Sequence, residues 1–419
     1  MFANRLVSLG IVLAAFTPAV AEPSESSYSL QELRAIARSA HPTLDSAEAA
    51  LEAASGSLRQ ARAYPNPEIV VGVGRGRPRD GGDSRSENTI ALLQPIELPG
   101  IRRWRARAAE LRLRGVEFDR ALAETIVDST VARLTYTALL ERGRAEIARE
   151  SAEVASRLHE LLARRVELGE SSPLEAVKAR SEWFARRREV LDAETSLETA
   201  RSALNLFCGG RLAEGFVIAE MLEDPGAIAL PADLVTRLRT RSPVLLRAAI
   251  AVEEAQARTG VAKKEVFPRF AVFAGHETEL DRKATSVGVG LTIPLWNRNR
   301  GEIAAASAAH VRVTADARAL TLELETALGQ VSAMYRRAMS AIRLHQEGWT
   351  ATAKQSLDIA TFSFENGEAS LLDVLDAQRS YLGVSLAEVE AWAALALARA
   401  EIERLIAGPV ELENSDEAR

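Results

Sequence analysis

The chain of 419 residues holds a single cysteine, Cys208. One cysteine excludes an intrachain disulfide and any metal centre built on cysteine ligands. Aromatic residues are also scarce, at 5% against a hydrophobic content of 47%, so the apolar mass is aliphatic and rich in alanine. Such a mixture suits long helices packed side by side better than a thick aromatic core. The chain has 15 prolines, yet none falls in 101–172 or in 295–408. A proline inside a helix costs about 3 kcal/mol, so these gaps permit helices of unusual length. Positive charge is not in excess: the formal net charge is −6, which argues against a nucleic-acid partner despite local arginine clusters. Beyond the first residues no run approaches about 18 uninterrupted apolar residues, the requirement for a transmembrane helix. A chain of this kind can enter a membrane only as a barrel.

Residues 1–21 have the form of a secretory signal peptide. Arg5 precedes an apolar run from Leu6 to Phe16, and Ala19-Val20-Ala21 supplies the small-residue cleavage site. An exported protein is expected. The rest divides into two repeats offset by about 200 residues. "AHPTLDSAEAALEAASGSLRQARAYPNPEI" (40–69) matches "RSPVLLRAAIAVEEAQARTGVAKKEVFPRF" (241–270), with Pro42 over Pro243 and Pro65 over Pro268. "LGESSPLEAVKARSEW" (168–183) matches "NGEASLLDVLDAQRSY" (366–381) without a gap, Gly169 lying over Gly367. The expected division is a first repeat over 22–208, a linker over 209–233, a second repeat over 234–408 and a tail over 409–419.

Within each repeat the punctuation outlines the elements. Helices are expected over 30–63, 101–168 and 173–207, the last capped by Ser172 with Pro173 in its first position. At 1.5 Å per residue the middle one spans roughly 100 Å and each of the others roughly 50 Å. Two short rods laid end to end therefore match one long rod. Between the helices lie strand-like runs. In 284–294, Val287, Val289, Leu291 and Ile293 alternate with Ser286, Gly288, Gly290 and Thr292; in 68–76, Ile69, Val71 and Val73 alternate with Val70, Gly72 and Gly74. Residues 87–95 and 269–277 alternate less cleanly, and the polar stretches "RPRDGGDSRS" and "TELDRK" read as loops. The runs have the length and two-faced pattern of tilted membrane strands. A soluble hairpin in each repeat would show the same pattern. If the strands enter lipid, four cannot close a barrel, since about eight are needed, and a trimer would supply twelve.

These residues resemble the outer-membrane efflux protein family, the TolC-like channels. The resemblance covers nearly the whole chain, through the repeat segments above and through "QPIELPGIRR" (94–103), "TIPLWNRNRGEI" (292–303) and "FENGEASLLDVLDAQRSYL" (364–382). The "IELPG" and "IPLWNRNRG" versions are most similar to the CzcC-like branch associated with heavy-metal efflux. The resemblance implies a mainly α fold with a small β part. It implies a homotrimeric α-helical barrel, built of long coiled-coil-like hairpins and continued by a shared 12-stranded transmembrane β-barrel with four strands per chain. It further implies a passive exit duct in the outer membrane, its helical tube in the periplasm, served by a periplasmic adaptor and an inner-membrane RND-type transporter. No cofactor and no catalysis are expected. An exit duct for drugs or for type I protein secretion would share the fold, and a non-channel helical surface scaffold is a third reading.

Candidate sites follow the resemblance. Asp373 and Asp376, three apart and so on one helix face, match aspartates that ring the constricted periplasmic entrance; without the resemblance they would read as a solvated helix start. Glu175 matches an acid of the closing lock, but Phe364 and Ala369 stand where that lock has a tyrosine and an arginine. The turns Gly169-Glu170-Ser171-Ser172 and Gly367-Glu368-Ala369-Ser370 are expected to form the tip that meets the adaptor. Six crowded carboxylates in a trimer are expected to raise some of their pKa values. Other motifs are weaker. "GVGRGRPRDGG" (72–82) imitates a dinucleotide loop, but Pro78 falls where a helix should start. The histidines at 41, 159, 276, 310 and 345 show no metal-ligand spacing. "RRWRAR" (102–107) either meets lipid headgroups through Trp104 and its arginines or forms a solvated helix face.

Overall fold

A computed structural model describes residues 26–79, 81–222, 228–279, 282–410 and 413–414. The expected signal peptide and most of the tail lie outside these residues. In chain order the elements are β1 (Ser27–Tyr28), α1 (Leu30–Ala40), α2 (Pro42–Arg62), β2 (Glu68–Gly76), β3 (Arg85–Ile96), α3 (Pro99–Glu167) and α4 (Pro173–Phe207). There follow β4 (Val217–Ile218), β5 (Ile228–Ala229), α5 (Leu234–Arg241), α6 (Pro243–Lys264), β6 (Arg269–Glu279) and β7 (Arg282–Thr292). The chain ends with α7 (Arg300–Gln346), α8 (Trp349–Glu365), α9 (Leu371–Ile406) and β8 (Glu413–Asn414).

Absence of proline does translate into length: α3 runs for 69 residues and α7 for 47. Both start just after the strand-to-helix hinges at Pro99 and at Pro294. The helix expected over 30–63 is instead two helices. Pro42 opens α2, and the residue before a proline is pushed out of the helical region; His41 accordingly sits at φ −85°, ψ 120°. Its Nδ1 accepts a hydrogen bond from the Thr43 N–H at 3.3 Å, and its ring packs on Phe207 with centroids 4.5 Å apart. The proline-free stretch 295–408 is likewise interrupted, at Gly348, whose φ of 108° separates α7 from α8.

The helices pack in two halves that share α3. In one half α2, α3, α6 and α7 lie side by side in that order; in the other, α4, α3, α9 and α8 do so, with α7 also against α9. Stacking α2 above α4 along α3 reproduces the end-to-end arrangement read from the sequence. By length and composition α9 is apolar enough to cross a membrane, contrary to the expectation from uninterrupted runs. Its place between α3, α7 and α8 makes it a core helix, and Val374, Ala393, Ile402 and Ile406 are sealed within it. Near the hinges Leu111, Ile250 and Ala257 pack with Trp104. At mid-height one cluster joins α1, α3 and the end of α4 and another joins α5, α7 and α9. A further cluster fills the far end.

The strands form one antiparallel sheet in the order β2-β3-β6-β7. β6 and β7 pair as far as Glu279–Arg282, so most of "TELDRK" belongs to the ladder and not to a loop. Pro95 lies in β3 beyond the last β2 pair, Glu68–Leu93, so its missing N–H removes no bond to β2. The linker is more than a spacer. β4 pairs in parallel with β1, and β5 pairs with β8, so the described parts of both chain ends are clipped onto it.

Helix α6 approaches α3 at Gly260, where a Cβ would lie 2.6 Å from the Trp104 ring. Gly260→Ala is expected to cost about 1–3 kcal/mol through overpacking, read as a lower thermal unfolding midpoint; an unchanged midpoint would show that the hinge is loosely packed.

Candidate functional site

The end of the molecule farthest from the sheet is built from two turns of identical design. α3 closes on Gly169 at φ 77°, where the Glu170 N–H returns to Arg165 O at 2.8 Å and the Gly169 N–H to Val166 O at 3.1 Å. α8 closes on Gly367 at φ 78°, with the Glu368 N–H on Ser363 O at 2.8 Å and the Gly367 N–H on Phe364 O at 3.1 Å. A left-handed glycine with this pair of bonds is the Schellman ending; a residue with a Cβ would be strained there. Three residues after each glycine a serine opens the next helix. Ser172 Oγ accepts from the Leu174 N–H at 3.2 Å, and Ser370 Oγ from the Asp373 N–H at 3.3 Å. Ser171 and Ala369 are half-buried, while Glu170, Ser172, Glu368 and Ser370 face solvent.

Glu175 and Asp373 occupy the same third helical position in α4 and α9, but only Asp373 completes a capping box. Its carboxylate accepts from Ser370 Oγ at 2.7 Å and from the Ser370 N–H at 2.8 Å. Those two bonds, the hydroxyl's first, hold the Asp373 carboxyl below its ordinary value. Within one chain the shift is therefore opposite to the one expected from crowded acids. Asp376 sits one turn on. Both aspartates are exposed with Leu372, on the face away from the core formed by Leu371, Val374 and Ala377. Glu175 is half-buried.

Arg165, in the last turn of α3, donates from Nη1 to Phe364 O at 3.2 Å and from Nη2 to Glu365 O. Its guanidinium also lies 5.3 Å from the centre of the Phe364 ring. A cation on the last carbonyls of α8 adds donors at that end and complements the helix dipole. Phe364 itself is 4% exposed, packed among Leu158, Leu162 and Leu357. Sequence reasoning missed Arg165. Its signal was asymmetry: in the gapless match of the two turns, Arg165 lies over Ser363.

Also missed were the apolar stripes on the edge helices. Leu174, Val177, Phe184 and Leu191 are exposed along α4, at spacings of three and seven residues; Ile359 and Phe362 are exposed on α8. On the sheet, Ile69, Val71 and Val73 register with Leu92, Ile90 and Asn88, and Val287, Val289 and Leu291 with Ala274, Val272 and Phe270. This face is apolar and open; the other carries Gly72, Gly74, Gly288 and Gly290, with Glu87 across from Gly74. In the arginine-rich helix start Arg103 and Arg107 face solvent, while Trp104 and Arg105 turn inward. Trp104 packs on Gly260, and Arg105 holds Glu97 at 2.7 Å and Ala61 O at 3.2 Å. The exposed tryptophan at the foot of the sheet is Trp296, at 94%. Cys208 is buried, and that burial pushes its thiol up to about 11, which leaves it a small packed residue. No cluster of three or more metal-ligating side chains occurs among the described residues.

Long rods, a sheet with one apolar and one small-residue face, and a turned tip define a subunit of an outer-membrane channel. The chain belongs to the outer membrane efflux protein family, whose signature it matches over residues 33–210 and 234–408, the two repeats without their linker. It is 30% identical over 373 residues to the cobalt-zinc-cadmium resistance protein CzcC of Cupriavidus metallidurans, covering 85% of this chain and 86% of that one. The nickel-cobalt-cadmium resistance protein NccC of Alcaligenes xylosoxydans is 27% identical over 77% of this chain and 72% of its own. Among solved structures, the open state of the MtrE outer membrane channel of Neisseria gonorrhoeae superposes with a TM-score of 0.78, at 18% identity, over 91% and 89% of the two chains. The family and these neighbours are channel proteins of the outer membrane, not enzymes.

The Asp373–Ser370 box gives a pH dependence. The folded-state pKa of Asp373 is lowered, so the box stabilises the start of α9 fully above the usual carboxylate range and fades as pH falls through the lowered pKa. Hydrogen exchange at the 373 and 374 amides should speed up below about pH 4, and Ser370→Ala should show fast exchange at every pH. Equal exchange in the two proteins at neutral pH would mean that the box carries no weight.

Proposed function

We propose that this chain is the outer-membrane duct of a tripartite efflux system for heavy-metal cations. Three copies close a twelve-stranded barrel in the membrane and a ring of rods in the periplasm. The observation that carries this reading is the sheet. β2 and β7 are open edges in a sheet whose apolar face is exposed, and lipid tolerates no unpaired edge, so each β2 pairs with the β7 of a neighbour. The edge helices fit the same ring, since the apolar stripes of α4 and α8 lie at opposite ends of the α4-α3-α9-α8 layer. The cargo rests on the likeness to CzcC and NccC, both resistance proteins for divalent metals. A duct of this kind is passive. Energy comes from an inner-membrane RND-type transporter, and a periplasmic adaptor joins the two at the exposed turns carrying Glu170 and Glu368. A strain lacking the gene should become sensitive to cobalt, zinc or cadmium; sensitivity to hydrophobic drugs alone would reassign the cargo.

At the tip, Asp373 and Asp376 of three chains form an acidic mouth, with Glu175 on the flanking helix. Rings of carboxylates favour cations and hold them briefly. Phe364 and Ala369 leave no inter-helix lock of the tyrosine–arginine kind, so closure within each chain falls to Arg165 on the α8 carbonyls. In planar bilayers Asp373→Ala with Asp376→Ala should lose cation preference and block by multivalent cations while the trimer still assembles; retained selectivity would make these residues a solvated helix face.

Adaptor docking has its own test. Glu170→Lys with Glu368→Lys should leave the channel trimeric and in the outer membrane but abolish metal tolerance in the deletion strain. Full complementation would place the docking surface elsewhere.

A further inference from the structure

Where the two repeats meet at mid-height, α1, α3, the α5–α6 turn and the end of α9 enclose a cleft of about 810 Å³. Five arginines and three acids line it, and every one of those acids already has a partner. Asp128 takes the fork of Arg38, with Nε at 2.7 Å from one oxygen. Glu403 is bound by Arg399 at 3.1 Å, and Glu124 lies 3.7 Å from Arg120, which is not part of the lining. Arg404 is held at 2.6 Å by Glu401, a residue of the neighbouring α3–α9 groove.

Arg34 and Arg241 are left over, without an ion pair among the described residues. The Nε of Arg34 is sealed from solvent and has no hydrogen-bond acceptor, a state more costly than a typical hydrogen bond is stabilising. A second feature points the same way. Arg241 and Pro243 bring the N-terminus of the 22-residue helix α6 to the cleft wall. Its cap residue, Ser242, is buried and makes no side-chain cap bond. An uncapped helix start turns the positive end of its dipole towards the cleft wall, although Pro243 itself has no N–H to donate.

We infer that this cleft binds a small multivalent oxyanion of the phosphate class, held between the guanidinium groups of Arg34 and Arg241 at the start of α6. Guanidinium forks match tetrahedral oxyanions in geometry as well as charge. The ligand would pin α1 and the end of α9 to the start of α6, and so tie the first repeat to the second. The site is remote from the tip and separate from the path of the cargo cations.

Calorimetric titration of the detergent-solubilised full chain with sodium phosphate, at ionic strength held constant with chloride, is the test. Saturable binding at one site per chain is expected, with a higher thermal midpoint in phosphate than in chloride. Arg34→Gln with Arg241→Gln should weaken binding by about tenfold or more, while Arg34→Lys, which keeps the charge but loses the guanidinium fork, should fall between. Should the double variant fail to assemble, Arg241→Gln alone, at an exposed position, gives the same reading. No saturable binding to the wild-type protein, or unchanged binding to the variants, would overturn the site.

Discussion

A β-strand in lipid has to place every backbone N–H and C=O in a hydrogen bond, because no water is there to take them. The four-stranded sheet meets that demand inside and fails it at β2 and β7. Most of the architecture answers this one deficit. On the function proposed above, other copies complete the sheet, and the helices that leave it are then set side by side around a ring. A rod in a ring needs two flanks that bury apolar surface, and α4 and α8 carry theirs outward at opposite edges of the layer. The face of the sheet opposite the apolar one carries Gly72, Gly74, Gly288 and Gly290, with the Phe273 ring lying against Gly288.

Helix length is governed more simply. Proline-free stretches run on even through Gly115, Gly143 and Gly329, while the left-handed Gly169, Gly348 and Gly367 mark ends of rods. At the tip, left-handed Gly169 and Gly367 reverse the chain with the same two backbone bonds, and serine caps restart it. The two repeats differ in what they add to that shared turn. The first supplies Arg165, which reaches across to the carbonyls of the second; the second supplies the Asp373 box. A duplicated hairpin has thus taken on two roles, one half bracing and the other presenting acids.

Much of this was legible in the sequence. The proline gaps gave α3 and α4 nearly to the residue, and the period-two runs gave all four strands. The match of Gly169 to Gly367 located both turns. Legibility ended where the governing contact was distant along the chain. Nothing local says that Arg165 will cap α8, that Trp104 will be buried against Gly260, or that 217–218 will pair with 27–28. The break at Gly348 was visible but outweighed by the missing prolines, and the split at His41 was overlooked although Pro42 was in view. The acids at the tip were found only through resemblance, since spacing alone does not separate them from an ordinary charged helix start.

The two clips at mid-height have a consequence for how the protein is made. β1 has no partner until residues 217–218 have followed it, and β5 has none until 413–414, near the last residues of the chain. During export, which delivers the chain from its N-terminus, the rods and hairpins can form as they emerge, because α3 meets α4 and β2 meets β3 within a short stretch. The second clip cannot close before residues 413–414 have emerged, so a product truncated ahead of them could hold most of its helices and still lack that clip.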